Sequence, residues 1–245
     1  TWPGGSNRHC ESSASPDMTT MTVRELSPAK SEPRYIAVEG PIGVGNTSLA
    51  RRLAKSFGGD LVLEQTEENP FLEEFYRSGR RTALPAQLHF LFQRSRQLEA
   101  LNQGDLFAPI RIADFHMLKD QLFAEINLDP DELALYRQVY DKLDIEIPVP
   151  DLVIYLQASV DALMSRVASR GVGYEKLLDR AYLEKVADTY AKYFYDYDDS
   201  PLLIVNASSI NPVQNDLDYE SLYRQVRRIT SGRHFFNPAA AVAFA

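Results

Sequence analysis

The stretch YIAVEGPIGVGNTSLA, residues 35–50, decides the fold of this 245-residue chain. Its first four residues are apolar and rich in β-forming side chains, as in a buried parallel strand. Gly40 and Gly45 then stand at the spacing of a phosphate-binding loop, G-x-x-x-x-G-K-S/T, and Thr47 supplies the hydroxyl. In such a loop, backbone N–H groups and the N-terminus of the following helix form an anion site. The stretch therefore predicts a strand, a phosphate-binding loop and a helix.

Asn46 occupies the position of the lysine in this loop pattern. A lysine there places a full positive charge beside the phosphates, whereas an asparagine can only donate a hydrogen bond. The loss of one preorganised donor to a transition state typically costs ~10²–10³ in kcat. Because the backbone N–H groups and the helix dipole remain, we expect phosphate binding to survive better than turnover. A glycine turn that serves only packing is the alternative for the loop by itself.

The remainder of the chain repeats the order strand then helix, which predicts a parallel sheet with helices on both faces. After the first strand, the predicted strands are residues 61–64, 110–113, 152–156 and 202–205. We therefore expect an α/β, three-layer fold of the P-loop NTPase type with a five-stranded parallel sheet. The folded domain is expected to span residues 34–233, between a disordered leader (1–33) and a C-terminal tail (234–245).

The composition narrows the class of protein. The net charge of −8 and the pI near 5.1 argue against a nucleic-acid-binding surface as the main function. The single cysteine leaves no intrachain disulfide, which fits a reducing cytoplasm. No apolar run reaches the length of a membrane span. We expect a cytoplasmic protein that binds neither nucleic acid nor a membrane, and the net charge does not exclude a small anionic ligand held by a few arginines.

Two of the predicted strands end in a carboxylate, Glu64 or Asp114. Ligands of parallel sheets bind beyond the carboxyl ends of the strands, where the phosphate-binding loop also lies. One carboxylate at this edge can take a proton from a hydroxyl, and the other can hold Mg²⁺ through its water shell. A helix cap or a solvated acid is the alternative for each residue.

A long helix predicted to begin near Pro85 carries Gln87 and Arg94, seven residues apart. Two helical turns place both side chains on one face, directed at the same cavity. An amide and a guanidinium on one face offer hydrogen-bond donors and an acceptor, which suit a polar ligand better than an apolar one. The alternative is that both side chains lie on the solvent face of an amphipathic helix.

Together these motifs resemble the deoxynucleoside kinase family, in the branch of the bacterial deoxyadenosine and deoxyguanosine kinases. The resemblance runs from about residue 34 to 229 and includes VEGPIGVG before Thr47 and LEQTEENPFLEEFY after the second strand. It implies that ATP, with Mg²⁺, phosphorylates the 5′-hydroxyl of a deoxynucleoside, a purine being favoured, in nucleotide salvage. It also implies a homodimer formed by helix packing.

The resemblance implies a role for particular residues. ATP is expected to bind Gly40, Pro41, Ile42, Gly43, Val44, Gly45, Asn46, Thr47 and Ser48, and Mg²⁺ to bind Thr47 and Asp114. Glu64 matches the general base for the 5′-hydroxyl, while Tyr76 and Glu175 match residues that bind the 3′-hydroxyl. Gln87 and Arg94 match the residues that bind the base, and Asp120 matches the acidic partner of that arginine. The expected substrate-binding set is Glu64, Tyr76, Gln87, Arg94, Asp114, Asp120 and Glu175.

Arg166 and Arg170, which precede Gly171, resemble the mobile lid of the family. Four residues apart on a helix, the two arginines share a face and can bracket the transferred phosphoryl group. We therefore expect both to be catalytic, with a basic solvated helix face as the alternative. Val172 and Phe115 stand where many family members have an arginine.

Two other functions share parts of this pattern. One is a catalytically weak protein that binds a nucleoside or nucleotide, for which Asn46 is the argument. The other is a nucleoside monophosphate kinase, which shares the loop and the lid but needs a further basic site for the acceptor phosphate. Phe115 argues mildly against that second alternative.

Overall fold

A computed structural model describes residues 33–78, 80–102, 109–208 and 210–237. The expected leader, apart from residue 33, and the end of the expected tail lie outside the described residues. The strands are β1 (Tyr35–Glu39), β2 (Asp60–Val62), β3 (Arg111–Ala113), β4 (Leu152–Gln157), β5 (Leu202–Asn206) and β6 (Arg233–Phe236). The α-helices are α1 (Asn46–Phe57), α2 (Leu72–Ser78), α3 (Ala83–Asn102), α4 (Leu118–Asn127), α5 (Pro130–Leu143), α6 (Val160–Arg170), α7 (Arg180–Asp196) and α8 (Asp216–Val226).

All six strands are parallel and lie in the order β2-β3-β1-β4-β5-β6. The expectation of a parallel α/β sheet is confirmed, but the number of strands is not five. β6 was missed because it has only four residues and its sequence, RHFF, alternates exposed and half-buried positions at the sheet edge. A continuous apolar run, which signals a buried parallel strand, is absent from it.

The central strand β1 separates two hydrophobic cores. Tyr35 and Ala37 pack into one core, whereas Ile36 and Val38 pack into the other. Successive side chains of a strand point to opposite faces, so an entirely apolar strand must be covered by helices on both sides. This burial fixes the carboxyl end of β1, and with it the loop that follows, at the centre of the sheet edge.

Helix α1 begins directly after that loop and ends at a glycine. Its buried side chains include Leu49, Ala50 and Leu53, on the face that packs against the sheet. Gly58 stops the helix with φ of 63°, and its N–H bonds a carbonyl of the last turn. In the described part of the chain, no helix is long and apolar enough to cross a membrane.

Candidate active site

The loop after β1 encloses one end of a cavity at the carboxyl edge of the sheet. A Cβ atom at Gly40 would lie 2.5 Å from the carbonyl oxygen of Leu156, so only glycine allows this close approach. Gly43 has φ of 84°, which also favours glycine. The loop residues that line the cavity are Gly40, Pro41, Ile42, Gly43, Gly45, Asn46 and Thr47. Val44 packs into the core and Ser48 is exposed, so neither of these expected ATP contacts lines it.

The side chain of Asn46 turns back onto the loop. Its Nδ2 donates to the carbonyl oxygen of Gly40 at 2.9 Å. Its Oδ1 is buried and has no hydrogen-bond partner among the described residues. The amide donor at the lysine position therefore stabilises the loop itself, and in this arrangement it is not directed at a phosphate.

Thr47 and Asp114 connect the loop to the ends of two neighbouring strands. The hydroxyl of Thr47 donates to Oδ2 of Asp114 at 2.5 Å, and the backbone N–H of Glu64 donates to Oδ1 at 2.8 Å. Burial raises the pKa of Asp114, while the charge of Lys119 and the Thr47 bond act against that rise.

The hydroxyl and carboxylate of Thr47 and Asp114 are hard oxygen donors of the kind that Mg²⁺ prefers. No group of three acidic, histidine or cysteine ligands occurs within the described ranges. The donor set therefore fits a magnesium ion that takes its remaining ligands from water and from substrate phosphates.

Glu64 lies in the same cavity, held by two cations. Its Oε1 accepts from Nε of Arg94 at 3.0 Å and also from Nη2, and its Oε2 accepts from Nζ of Lys119 at 2.8 Å. Burial by itself raises the pKa of Glu64, but the charges of Lys119 and Arg94 outweigh burial and lower it to about 2. Glu64 is therefore ionised at neutral pH, with both oxygens fixed in position.

Lys119 is a site residue that sequence reasoning missed. It lies in the first turn of α4, lines the cavity and has a side chain that is only 13% exposed. Its position five residues beyond Asp114 and directly before Asp120 was the available signal, because that helix turn follows the sheet edge. A lysine in a first helical turn is usually solvated, so the spacing alone gave it no role.

A buried polar network closes the far end of the cavity. Arg94 donates through Nη1 to Oδ1 of Asp120, whose Oδ2 accepts from the hydroxyl of Tyr136. Gln87 donates to the backbone carbonyl of Asp120 at 2.8 Å. Gln87 and Arg94 line the cavity, whereas Asp120 lies outside its lining and is fully buried. Tyr136, on α5, was missed because no local pattern connects that helix to α4.

Tyr76, Arg170 and Glu175 line another part of the cavity. Oε1 of Glu175 accepts from Nη1 of Arg170 at 2.9 Å, while Oε2 is buried without a hydrogen-bond partner in the described part of the chain. Burial raises the pKa of Glu175, and the charge of Arg170 opposes this. A buried carboxylate oxygen without a donor is a ready acceptor for a ligand hydroxyl.

Arg166 is placed differently from Arg170. Its Nη1 donates to the carbonyl of Val44 at 3.1 Å and its Nη2 to the carbonyl of Ala207 at 2.6 Å. It is not part of the cavity lining. The structure thus brings only Arg170 of the two arginines to the cavity, while Arg166 joins the back of the phosphate-binding loop to the residue after β5.

Glu39, the last residue of β1, is fully buried behind the loop. It accepts from the backbone N–H groups of His116 and Gly40, at 2.5 and 3.1 Å, and from the hydroxyl of Tyr190 at 3.0 Å. Burial raises its pKa to about 7, although the charge of Lys119 and the bonds from His116 and Tyr190 act in the other direction. Glu39 therefore ties the start of the loop to the segment after β3.

Known proteins share this fold and this sequence pattern. The family model described as deoxynucleoside kinase matches residues 36–231. A deoxyguanosine kinase of Bacillus subtilis (strain 168) is 34% identical over 201 residues, which cover 80% of this chain and 97% of that protein. A deoxyadenosine/deoxycytidine kinase of the same organism is 25% identical over 203 residues, with coverage of 79% and 92%. A solved structure of deoxyadenosine kinase from M. mycoides with bound dATP has a TM-score of 0.67 and 28% identity, covering 77% of this chain and 98% of that one.

Proposed function

The chain belongs to the deoxynucleoside kinase family and is an enzyme of this kind, and on that premise we propose that it transfers the γ-phosphoryl group of ATP to the 5′-hydroxyl of a purine deoxynucleoside. The observation that carries this proposal is the position of Glu64. Its carboxylate shares one cavity with the phosphate-binding loop and with the Gln87–Arg94 pair. A base that lies between a phosphate site and a nucleobase site is the arrangement that 5′-phosphorylation needs.

Glu64 orients the 5′-hydroxyl and accepts its proton. The low pKa of this carboxylate makes it a weak base, which suits phosphoryl transfer because the transition state is loose and the proton leaves the attacking oxygen late. Catalysis then depends mainly on position: a reacting group displaced by about 1 Å can cost ~10² in rate. Arg94 and Lys119 hold the carboxylate of Glu64 in that position.

The loop holds the donor phosphates through its backbone N–H groups and the N-terminus of α1. Thr47 and Asp114 would hold Mg²⁺, which neutralises charge on the phosphates when it is bound. Arg170, the lid arginine that lines the cavity, is 48% exposed and bonded to Glu175, and it turns from that ion pair towards the transferred group when the segment after α6 closes. Arg166 supports the loop from behind.

Tyr76 and the unpartnered oxygen of Glu175 bind the 3′-hydroxyl of the sugar, and Gln87 and Arg94 bind the base. Gln87 donates one of its two amide N–H groups to a backbone carbonyl, so its other N–H and its oxygen bond the edge of the base. Asp120 acts through Arg94 rather than on the base. The preference for a purine is supported by relatives named as deoxyguanosine and deoxyadenosine kinases.

Two other functions are less well supported. A binding protein without turnover is not favoured, because the relatives that the chain matches are named as kinases. A nucleoside monophosphate kinase needs free cations for an acceptor phosphate, but Arg94 and Lys119 both bind Glu64 and Phe115 is buried in the core.

We further propose a cytoplasmic homodimer. Large apolar side chains remain exposed on two helices that contact each other, namely Phe92 on α3 at 43% and Leu135 on α5 at 48%. Analytical ultracentrifugation of the purified chain tests the dimer, and a single monomeric species at micromolar concentration would exclude it.

The experiment for the main proposal is a panel of four deoxynucleosides, each incubated with ATP and Mg²⁺ and analysed by ion-exchange chromatography. The proposal predicts 5′-monophosphates of deoxyguanosine or deoxyadenosine at the highest rates. Phosphorylation of deoxynucleoside monophosphates only, with no reaction of the nucleosides, would instead identify the monophosphate kinase.

A further inference from the structure

Lys119 is one of the two cations that bind the carboxylate of Glu64. Its ammonium group lies 2.8 Å from Oε2 of Glu64, which is the oxygen that Arg94 does not bind. Arg94 is shared, because its Nη1 binds Asp120. Within the described ranges, the only salt-bridge partner of Lys119 is Glu64. Glu64 therefore holds Lys119 in place, and Lys119 in turn fixes Oε2 of Glu64.

Lys119 remains charged although it is buried. Burial lowers its pKa, and the positive charge of Arg94 acts in the same direction, but Glu64, Glu39 and Asp114 raise it and prevail. A buried ammonium beside a carboxylate is costly to place unless the pair is well bonded. Its presence at the cavity wall, rather than on the solvent face of α4, therefore calls for a role in the site.

Neighbouring positions supply no equivalent charge. Phe115, directly after Asp114, is fully buried and apolar. Asn46 is neutral and bonds the carbonyl of Gly40. Two cations, Arg94 and Lys119, therefore bind Glu64. Arg94 also binds Asp120, whereas the only carboxylate that Lys119 pairs with in the described part of the chain is Glu64.

We propose that Lys119 is a positioning residue for phosphoryl transfer, which acts through Glu64 by fixing its Oε2 towards the acceptor hydroxyl. This inference rests on the proposed function. In the step it supports, the 5′-oxygen forms a bond to the γ-phosphorus as the bond from that phosphorus to the β–γ bridging oxygen breaks. The electron pair leaves with ADP, the hydroxyl proton passes to Glu64, and Lys119 keeps its own protons.

Replacing Lys119 by methionine preserves length and removes the charge. Because the side chains proposed to bind the sugar and the base are others, we expect kcat to fall about 10²-fold while KM for the deoxynucleoside changes less than about threefold. Lys119→Arg keeps the charge and should return kcat to within about tenfold of the unmodified chain. If Lys119→Met does not fold, Lys119→Gln, which donates without charge, takes its place with the same expectation. Lys142→Met, an exposed lysine on α5, is the matched control and should leave both constants unchanged.

A double-mutant cycle separates action through Glu64 from a general loss of structure. In the Glu64→Gln background, Lys119→Met should lower kcat by less than about threefold further, because its partner is already lost. An undiminished 10²-fold loss in that background would overturn the inference. So would a kcat of Lys119→Met within threefold of the unmodified chain, or a loss expressed only in KM.

The effect of Lys119→Met is also measured in the Asn46→Lys background. The test then does not depend on the turnover of the chain with Asn46. A chain that phosphorylates deoxynucleosides with Lys119→Met fully active would refute only the role of Lys119. Failure of every background to phosphorylate any deoxynucleoside would refute the proposed function and the inference together.

Discussion

Asn46→Lys tests how much the unusual loop residue limits the enzyme. In the structure, Nδ2 of Asn46 bonds Gly40 and its Oδ1 has no partner among the described residues, so the side chain gives the phosphates neither a charge nor a directed donor. One preorganised donor at a transition state is worth ~10²–10³ in kcat, or roughly 3–4 kcal/mol. In the proposed mechanism, Arg170 offsets part of this loss. We therefore expect Asn46→Lys to raise kcat at least about tenfold.

The assay measures initial rates with deoxyguanosine and with deoxyadenosine at saturating ATP and Mg²⁺. Asn46→Gln is the matched control, since it lengthens the amide without adding charge and should change kcat by less than about threefold. Binding of deoxyguanosine, measured by calorimetry, should be similar in all three proteins because the residues proposed to bind the nucleoside lie outside the loop. An Asn46→Lys protein that binds the nucleoside normally and shows no gain in kcat would refute the reasoning that charge at this position limits turnover.

Three further changes have defined outcomes. Arg94→Met leaves two buried carboxylates without their shared cation, so the free energy of unfolding in urea should fall by about 3–5 kcal/mol, whereas Arg77→Met, at an exposed pair, should cost less than about 1 kcal/mol. Glu175→Ala should lower kcat/KM for deoxyguanosine about tenfold or more but barely affect 2′,3′-dideoxyguanosine, which has no 3′-hydroxyl to lose. The pKa of Glu39 rises from 4.5 to about 7 on folding, so the folded state binds the extra proton and the free energy of unfolding should fall by about 3 kcal/mol as the pH rises through that window. Glu39→Gln should flatten that dependence.

Each of these expectations has a contrary result. Equal urea midpoints for Arg94→Met and Arg77→Met would show that the buried network does not stabilise the fold. An equal loss on both nucleosides for Glu175→Ala would remove the 3′-hydroxyl as its ligand. Identical pH dependence of unfolding with and without Glu39→Gln would assign the proton to another group.

The sequence was sufficient for the parts of the fold that local patterns specify. The apolar run before Gly40 predicted β1, because a strand buried on both faces is apolar throughout. The spacing of the glycines that follow predicted the loop and the start of α1. β6 was not predicted, because it is a short edge strand without an apolar run. Boundaries also shifted: β2 ends at Val62, so Glu64 stands two residues beyond the strand that was expected to end with it.

The residues of the site also divide into those that local patterns specify and those that depend on packing between distant elements. Glu64, Gln87 and Arg94 were identifiable because strand ends and helix spacing set their direction. Lys119 and Tyr136 were not, since each joins the site through a packing contact between elements distant in sequence. Helix spacing alone placed Arg166 beside Arg170, but it did not reveal that the guanidinium of Arg166 bonds backbone carbonyls behind the loop.

The most direct test of the account is the turnover of Glu64→Gln with deoxyguanosine, ATP and Mg²⁺, measured together with the affinity for deoxyguanosine. If Glu64 orients and deprotonates the 5′-hydroxyl, kcat falls by ~10²–10⁴, while the dissociation constant changes less than about fivefold because base and sugar contacts remain. A Glu64→Gln protein with kcat within tenfold of the unmodified chain, forming the same 5′-monophosphate, would contradict the assignment of this cavity as the site of phosphoryl transfer.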